Sequence, residues 1–192
     1  MRPSTRSLTA VFDDAIALMR QTVETNIADQ AERAIEAICK ALREGLPLLV
    51  CGNGGSASDA MHITGELVGR FLVERKALNC ICLSSNPAVL TAWSNDYSFQ
   101  TVFSRQIEAY GRAGGVLLSL STSGNSANVI EAIKVAKALG MTTVTLTGAG
   151  GGASAAVTDI LLEAPSGKTP DIQQIHICLY HYICEQVEAR LT

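Results

Sequence analysis

Four hydroxyls, Ser121, Thr122, Ser123 and Ser126, crowd the short stretch STSGNS between an apolar run and a helical one. Where a strand gives way to a helix, the first N–H groups of the helix are unpaired and lie at the positive end of its dipole. Hydroxyls gathered there, with Gly124 relieving the turn, suit a dianionic phosphate ester and require neither lysine nor metal. One such serine would be an ordinary N-cap; four point to anion binding. A second loop, CGNGGSASDAMH from Cys51 to His62, sets Gly52, Gly54 and Gly55 where backbone can approach a ligand closely, again ahead of a helix. Gly52, Gly54 and Ala57 also spell the dinucleotide pattern G-x-G-x-x-[GA], but Gly148, Gly150 and Ala153 spell it again. The strand after the first match ends in Leu83, Ser84 and Ser85, where a nicotinamide site needs an acidic residue, so the dinucleotide reading is set aside.

Groups able to move protons are few, because the chain holds only 3 histidines. His62 and Glu66 are four apart on the helix leaving the glycine loop and share a face, which fits either a solvated hydrogen bond or a site pair. Gln173 and His181 are eight apart on the last helix, an offset of about 80°, so they can share a broad face. His176 stands about 140° from His181 and reads as a structural or interface residue. Asn95 and Asp96 occupy a position where a helix cap is expected. The run from Gly148 to Gly152 reads as a flexible turn out of a strand.

The elements that must position these groups follow from periodicity. Ser7 to Glu44 is helical, with apolar residues mostly three and four apart, and is read as two helices. Short apolar runs then appear at 46–51, 78–83, 116–121, 142–147 and 159–164. Helix-like stretches occupy 57–71, 86–110, 125–139 and the segment from Asp171 to the end. Strands apolar on both faces and spaced for crossover helices predict an α/β protein: a three-layer α/β/α sandwich with a five-stranded parallel sheet and an N-terminal helical pair. In such sheets ligands bind beyond the carboxyl ends of the strands, where both loops lie.

Composition bounds the partners. A chain of 192 residues suits one domain with a helical appendage. Charged residues make up 17%, below the usual figure of about 25%, which points to surface buried in an oligomer. The net charge of −3 and the lack of any Lys/Arg cluster argue against nucleic acid as a direct ligand. The uncharged stretch Ala77 to Trp93 is interrupted by Asn79, Ser84, Ser85, Asn86 and Pro87 and does not read as a membrane span. The opening MRPSTRSLTAVFDD reaches Asp13 and Asp14 before any long apolar run, unlike a secretory signal. The 6 cysteines form no C-x-x-C pair and read as buried thiols of a reducing compartment, so a cytoplasmic protein is expected.

Four blocks carry a resemblance to a known family: CGNGGSASDAMHITGELVGRF, SNDYSF, LLSLSTSGNSANVIEAI with VTLTG after it, and IQQIHICLYH. With them the chain resembles the SIS (sugar isomerase) fold, of flavodoxin-like type, and within it the phosphoheptose isomerases. The resemblance implies a single SIS domain over 1–192 with 1–45 as oligomerisation helices, and interconversion of sedoheptulose 7-phosphate with D-glycero-D-manno-heptose 7-phosphate, the first step toward nucleotide-activated heptose. Glu66 would be the catalytic carboxylate and His181 the catalytic histidine. Asn53, Gly54, Gly55, Asn95, Asp96 and Gln173 would contact the sugar, and Ser121, Thr122, Ser123 and Ser126 the phosphate. The resemblance further implies one zinc ion per subunit on His62, Glu66, Gln173 and His181, and a homotetramer with shared sites. Where the family's last helix commonly opens with arginine and carries a later glutamate, this chain has Asp171 and Gln174, a reversal of charge that bears on specificity or subunit contact. Some SIS-fold relatives are scaffolds for the replication initiator and lack the carboxylate and histidine; retention of both favours catalysis over that alternative, while an isomerase for another phosphosugar stays open.

Overall fold

The computed structural model describes residues 5–192; the first four residues of the segment 1–45 lie outside it. Two helices, α1 (Leu8–Val23) and α2 (Ile27–Arg43), precede the sheet, and α2 buries Ile27, Ala31, Ala34, Ile35, Ile38 and Leu42 along one stripe. The alternating part runs β1 (Leu48–Gly52), α3 (Gly55–Val68), β2 (Cys80–Cys82), α4 (Pro87–Asp96), α5 (Val102–Tyr110), β3 (Val116–Ser121), α6 (Ala127–Ala138), β4 (Thr142–Thr147), β5 (Ile160–Glu163) and α7 (Thr169–Leu191). All strand pairs are parallel, in the order β2-β1-β3-β4-β5.

Alternation along the strands divides the core in two. Leu48 and Val50 of β1 join Leu118 of β3 and Val144 of β4 under α2, α3 and α7. Leu49, Cys51 and Leu117 face the opposite side, beneath Phe103 and Ile107 of α5 and Val129 and Ile133 of α6. The expected three layers are therefore present, with the helical pair beside α7.

Two boundaries differ from the periodic reading. The stretch 86–110 is two helices: Tyr97 leaves helical geometry (φ −132°, ψ −90°), and Ser98 Oγ accepts from the Gln100 amide at 3.1 Å to start a single 3-10 turn. Trp93 Nε1 donates to Thr101 Oγ1 at 2.8 Å across this corner, which lets Leu90 and Trp93 as well as Phe103 and Ile107 reach the same core. The helix expected to reach residue 71 stops at Val68, and the chain from Gly69 to Asn79 crosses to α7 instead. Among the described residues no helix is long and apolar enough to cross a membrane. All six cysteines are free, and only Cys178 is exposed.

Candidate active site

Strand order reverses between β1 and β3, the switch point at which open parallel sheets leave a crevice. The glycine loop leaves β1 and the hydroxyl loop leaves β3, so both flank that crevice. A reciprocal pair of amide hydrogen bonds joins them: Asn53 Nδ2 donates to Asn128 Oδ1, and Asn128 Nδ2 to Asn53 Oδ1, each at 2.9 Å. Gly54 enters α3 at φ +56°, and Gly55 follows as the first helical residue. A side chain at Gly55 would collide with the Gln173 amide, which places Gln173 of α7 directly over the glycine loop.

In the second loop Ser121 Oγ and Ser126 Oγ lie 3.0 Å apart, and the Ser126 hydroxyl makes no capping bond to α6. Ser123 Oγ accepts from the Asn125 amide at 3.1 Å, and Thr122 is half-buried between them. Of the four hydroxyls, those of Ser121 and Ser126 meet, while that of Ser123 is engaged by the loop's own backbone ahead of α6. The run Gly148 to Gly152, expected to be a plain turn, packs against the back of this loop. Gly148 donates to the Thr122 carbonyl at 3.0 Å, Ser154 to Gly124 at 2.9 Å, and Ala153 to Asn125 Oδ1 at 2.9 Å. Gly124 sits at φ +64° facing the Gly151 carbonyl, and no side chain fits between them. The second glycine run is thus tied by backbone hydrogen bonds to the hydroxyl loop rather than standing free as a turn.

The proton-moving groups meet between α3 and α7. His62 Nε2 is 2.9 Å from Glu66 Oε1 and 3.5 Å from His181 Nε2, and among the described residues these three form the one group of His, Cys, Asp or Glu donors close enough to share a metal, all within 4.8 Å. Tyr180 Oη, 3.0 Å from His62 Nδ1, occupies the other ring nitrogen and turns Nε2 toward Glu66 and His181. Tyr180 Oη also donates to Asp59 Oδ1 at 3.5 Å; burial raises the Asp59 carboxyl above the ordinary range, while Tyr180 and His62 pull it down. Two imidazole nitrogens and one carboxylate oxygen are a donor set suited to zinc, whose bonds of about 2.0–2.2 Å hold tetrahedral ligands roughly 3.3 Å apart. Gln173, the fourth ligand that the resemblance implies, has its amide against Gly55 at the start of α3.

Other expected residues lie apart from this cluster. Asn95 and Asp96 are the last two residues of α4; they form no cap, and their exposed side chains bond to each other at 2.9 Å. His176 is fully buried with Nε2 3.1 Å from the Thr147 carbonyl, a structural contact between α7 and β4. Asp171 accepts from Ser166 Oγ at 3.2 Å in the first turn of α7, a favourable end for a negative charge, and Gln174 is exposed. Sequence reasoning missed Asn128, Asp59 and Tyr180. Polar atoms buried in the apolar phase of α6, α3 and α7 are the signal that would have flagged them.

The chain is similar to known proteins over most of its length. Residues 11–148 match the SIS domain family. A phosphoheptose isomerase of Rhodospirillum rubrum is 50% identical over 186 residues, spanning 94% of this chain and 99% of that protein. Another, from Crocosphaera subtropica, is 52% identical over 160 residues, spanning 83% of this chain and 82% of that protein. Among solved structures, a phosphoheptose isomerase from Neisseria gonorrhoeae superposes with a TM-score of 0.89 at 39% identity, over 95% of this chain and 97% of that one.

Proposed function

Because the chain belongs to the SIS-domain family and, within it, to the phosphoheptose isomerases, we propose that it interconverts sedoheptulose 7-phosphate and D-glycero-D-manno-heptose 7-phosphate, the entry to nucleotide-activated heptose. The observation that carries this reading is the meeting of Glu66 and His181, from helices 115 positions apart in the chain, with donor atoms within 4.8 Å of each other.

The chemistry follows from the residues. Ser121, Thr122, Ser123 and Ser126, with the amides opening α6, hold the phosphate. Asn53, Gly54, Gly55 and Gln173 line the sugar, and exposed Asn95 and Asp96 supply a further contact. Glu66 removes a proton from C1 of the ketose while His181 donates one to the carbonyl oxygen on C2, giving the cis-enediol. Glu66 then returns its proton to C2 and His181 takes the proton from the C1 hydroxyl, leaving the aldehyde. The two helices keep both groups at fixed separation.

His62, Glu66 and His181 would hold one zinc ion per subunit. Each would offer the ion one donor atom, so Glu66 keeps its second carboxylate oxygen for the carbon-bound proton and His181 its second ring nitrogen for the oxygens. When bound, the ion would polarise the substrate's carbonyl and hydroxyl oxygens as a Lewis acid. Of the two roles the resemblance gives Gln173, its place over Gly55 supports substrate contact. A homotetramer with α1 and α2 as its assembly helices is supported, on the side of α1, by the apolar stripe that helix leaves uncovered, Leu8, Phe12, Ile16, Met19 and Val23. Free thiols, five of them buried, support a reducing, cytoplasmic setting.

The test is turnover. Purified protein supplied with zinc should convert sedoheptulose 7-phosphate to the aldose and exchange one carbon-bound proton with solvent. A chelator should stop the reaction and zinc restore it. A zinc-supplied protein that leaves the sugar phosphate unchanged overturns the reading.

A further inference from the structure

Glu188 is 2% exposed, yet it lies on the apolar face of α7 with Tyr180, Ile183, Cys184 and Val187. It is seven residues beyond His181, nearly two full turns, and so on much the same face. Its carboxylate collects three consecutive backbone amides of the segment that follows α3: Phe71 N at 2.9 Å on Oε1, Leu72 N at 2.6 Å and Val73 N at 3.1 Å on Oε2. Arg75 Nε stands 3.1 Å from Oε1, paired by charge though not aligned as a hydrogen bond. Burial opposes ionisation of Glu188, but the three amides and Arg75 outweigh it and hold the carboxyl below its ordinary range.

Both arms of this assembly reach the proposed active site. Arg75 Nη2 donates to the Glu66 carbonyl at 2.8 Å and Nη1 to the Gly69 carbonyl at 3.2 Å, closing the end of the helix that carries Glu66. Phe71, whose amide is held by Glu188, stacks its ring on the His181 imidazole, with centroids 5.7 Å apart and planes 27° from parallel. His62 and Tyr180 meet that imidazole at steep angles, 81° and 72°, so Phe71 alone among these three rings covers its face.

We propose that Glu188 and Arg75 are positioning residues for the isomerisation: they clamp the segment after α3 so that Phe71 fixes the plane of the His181 ring. The proposal rests on the isomerase reading for its kinetic consequence. A ring free to swing about its bond misaligns the group that must serve two oxygens in turn, and small misplacements of that kind cost about 10- to 100-fold in rate.

Glu188→Gln puts an amide donor against three amide donors and should release the segment; Phe71→Leu removes the ring and leaves the carboxylate cluster intact. Each should lower kcat at least tenfold with KM within about twofold of the parent. Phe71→Tyr should recover most of what Phe71→Leu loses. The double variant Glu188→Gln/Phe71→Leu should be no slower than the worse single, because both act through one contact. Independently of turnover, the 3 histidines allow ring-labelled imidazole NMR signals to be assigned by substitution. The His181 signal should move in Phe71→Leu and in Glu188→Gln, with that of His176 unchanged. If wild-type protein is inactive, the isomerase reading fails while the NMR comparison still decides the clamp. A His181 signal unmoved in either variant, or full kcat in Phe71→Leu, overturns the proposal; should Glu188→Gln fail to fold, Phe71→Leu alone decides.

Discussion

Glu66 and His181 carry the sharpest expectations at the level of single side chains. Glu66→Gln keeps size and loses the proposed base, and His181→Ala removes the proposed acid, so each should reduce turnover by about 10²–10⁴-fold while mass in solution matches the parent; steady-state rates and light scattering on the same samples read both parts. Gly124→Ala introduces a side chain at φ +64° against the Gly151 carbonyl. It should cost about 1–3 kcal/mol of stability and raise KM for the sugar phosphate, because the loop it strains is the one proposed to hold the anion. Thermal melts and saturation curves would detect both. The hydroxyl run and the His62–Glu66 pair stood out in the sequence because their signal is local, four hydroxyls in six positions and a histidine and glutamate four apart, whereas the roles of Glu66 and His181 came from the family resemblance. Asn128, Tyr180 and the clamp of Arg75 with Glu188 did not stand out, since Asn53 and Asn128 are 75 positions apart and Phe71 and Glu188 are 117. An acidic residue in phase with the apolar face of α7 was the one visible hint.

At the level of elements, α7 does more than deliver His181. It is pinned to β4 through His176, whose imidazole burial pushes down to about 4, with the Thr147 carbonyl offsetting only part of the effect. The folded protein keeps this ring neutral where the unfolded chain, titrating near 6.5, already binds a proton. Stability should therefore fall as pH drops from about 6.5 to 4, by up to about 3 kcal/mol from this group. Below about 4.5 the loss of the ionised Glu188 should add to it, because that carboxyl is held low in the folded state. Urea unfolding across this range should show the slope, and His176→Gln should flatten the part above pH 4.5; equal stability of the wild-type protein at pH 6.5 and 5 would contradict the account. Element type was readable for every strand from short apolar runs and their spacing, and for α2, α6 and α7 from helical patterning. The break between α4 and α5 was not, because it depends on Ser98 and on the Trp93 contact to Thr101, a tertiary constraint that no local pattern announces.

The whole molecule leaves α1 conspicuously uncovered: among its residues only Thr22 is buried, while Leu8 is 70% and Phe12 59% exposed. Spacings of four, four, three and four from Leu8 to Val23 make one continuous stripe, which the low charge content had foreshadowed without locating. Phe12→Asp and Ile16→Asp should reduce the assembled mass in sedimentation without lowering the helix content, since neither residue is in the core of the subunit.

The outermost strands of the sheet bear on how that assembly can form. β2 has 3 residues and β5 has 4, against 6 in β3 and β4. So short a margin offers few open peptide groups for a neighbour to zip onto, which discourages runaway ribbon growth. Association of copies through the proposed α1 stripe would then be helix against helix rather than strand against strand.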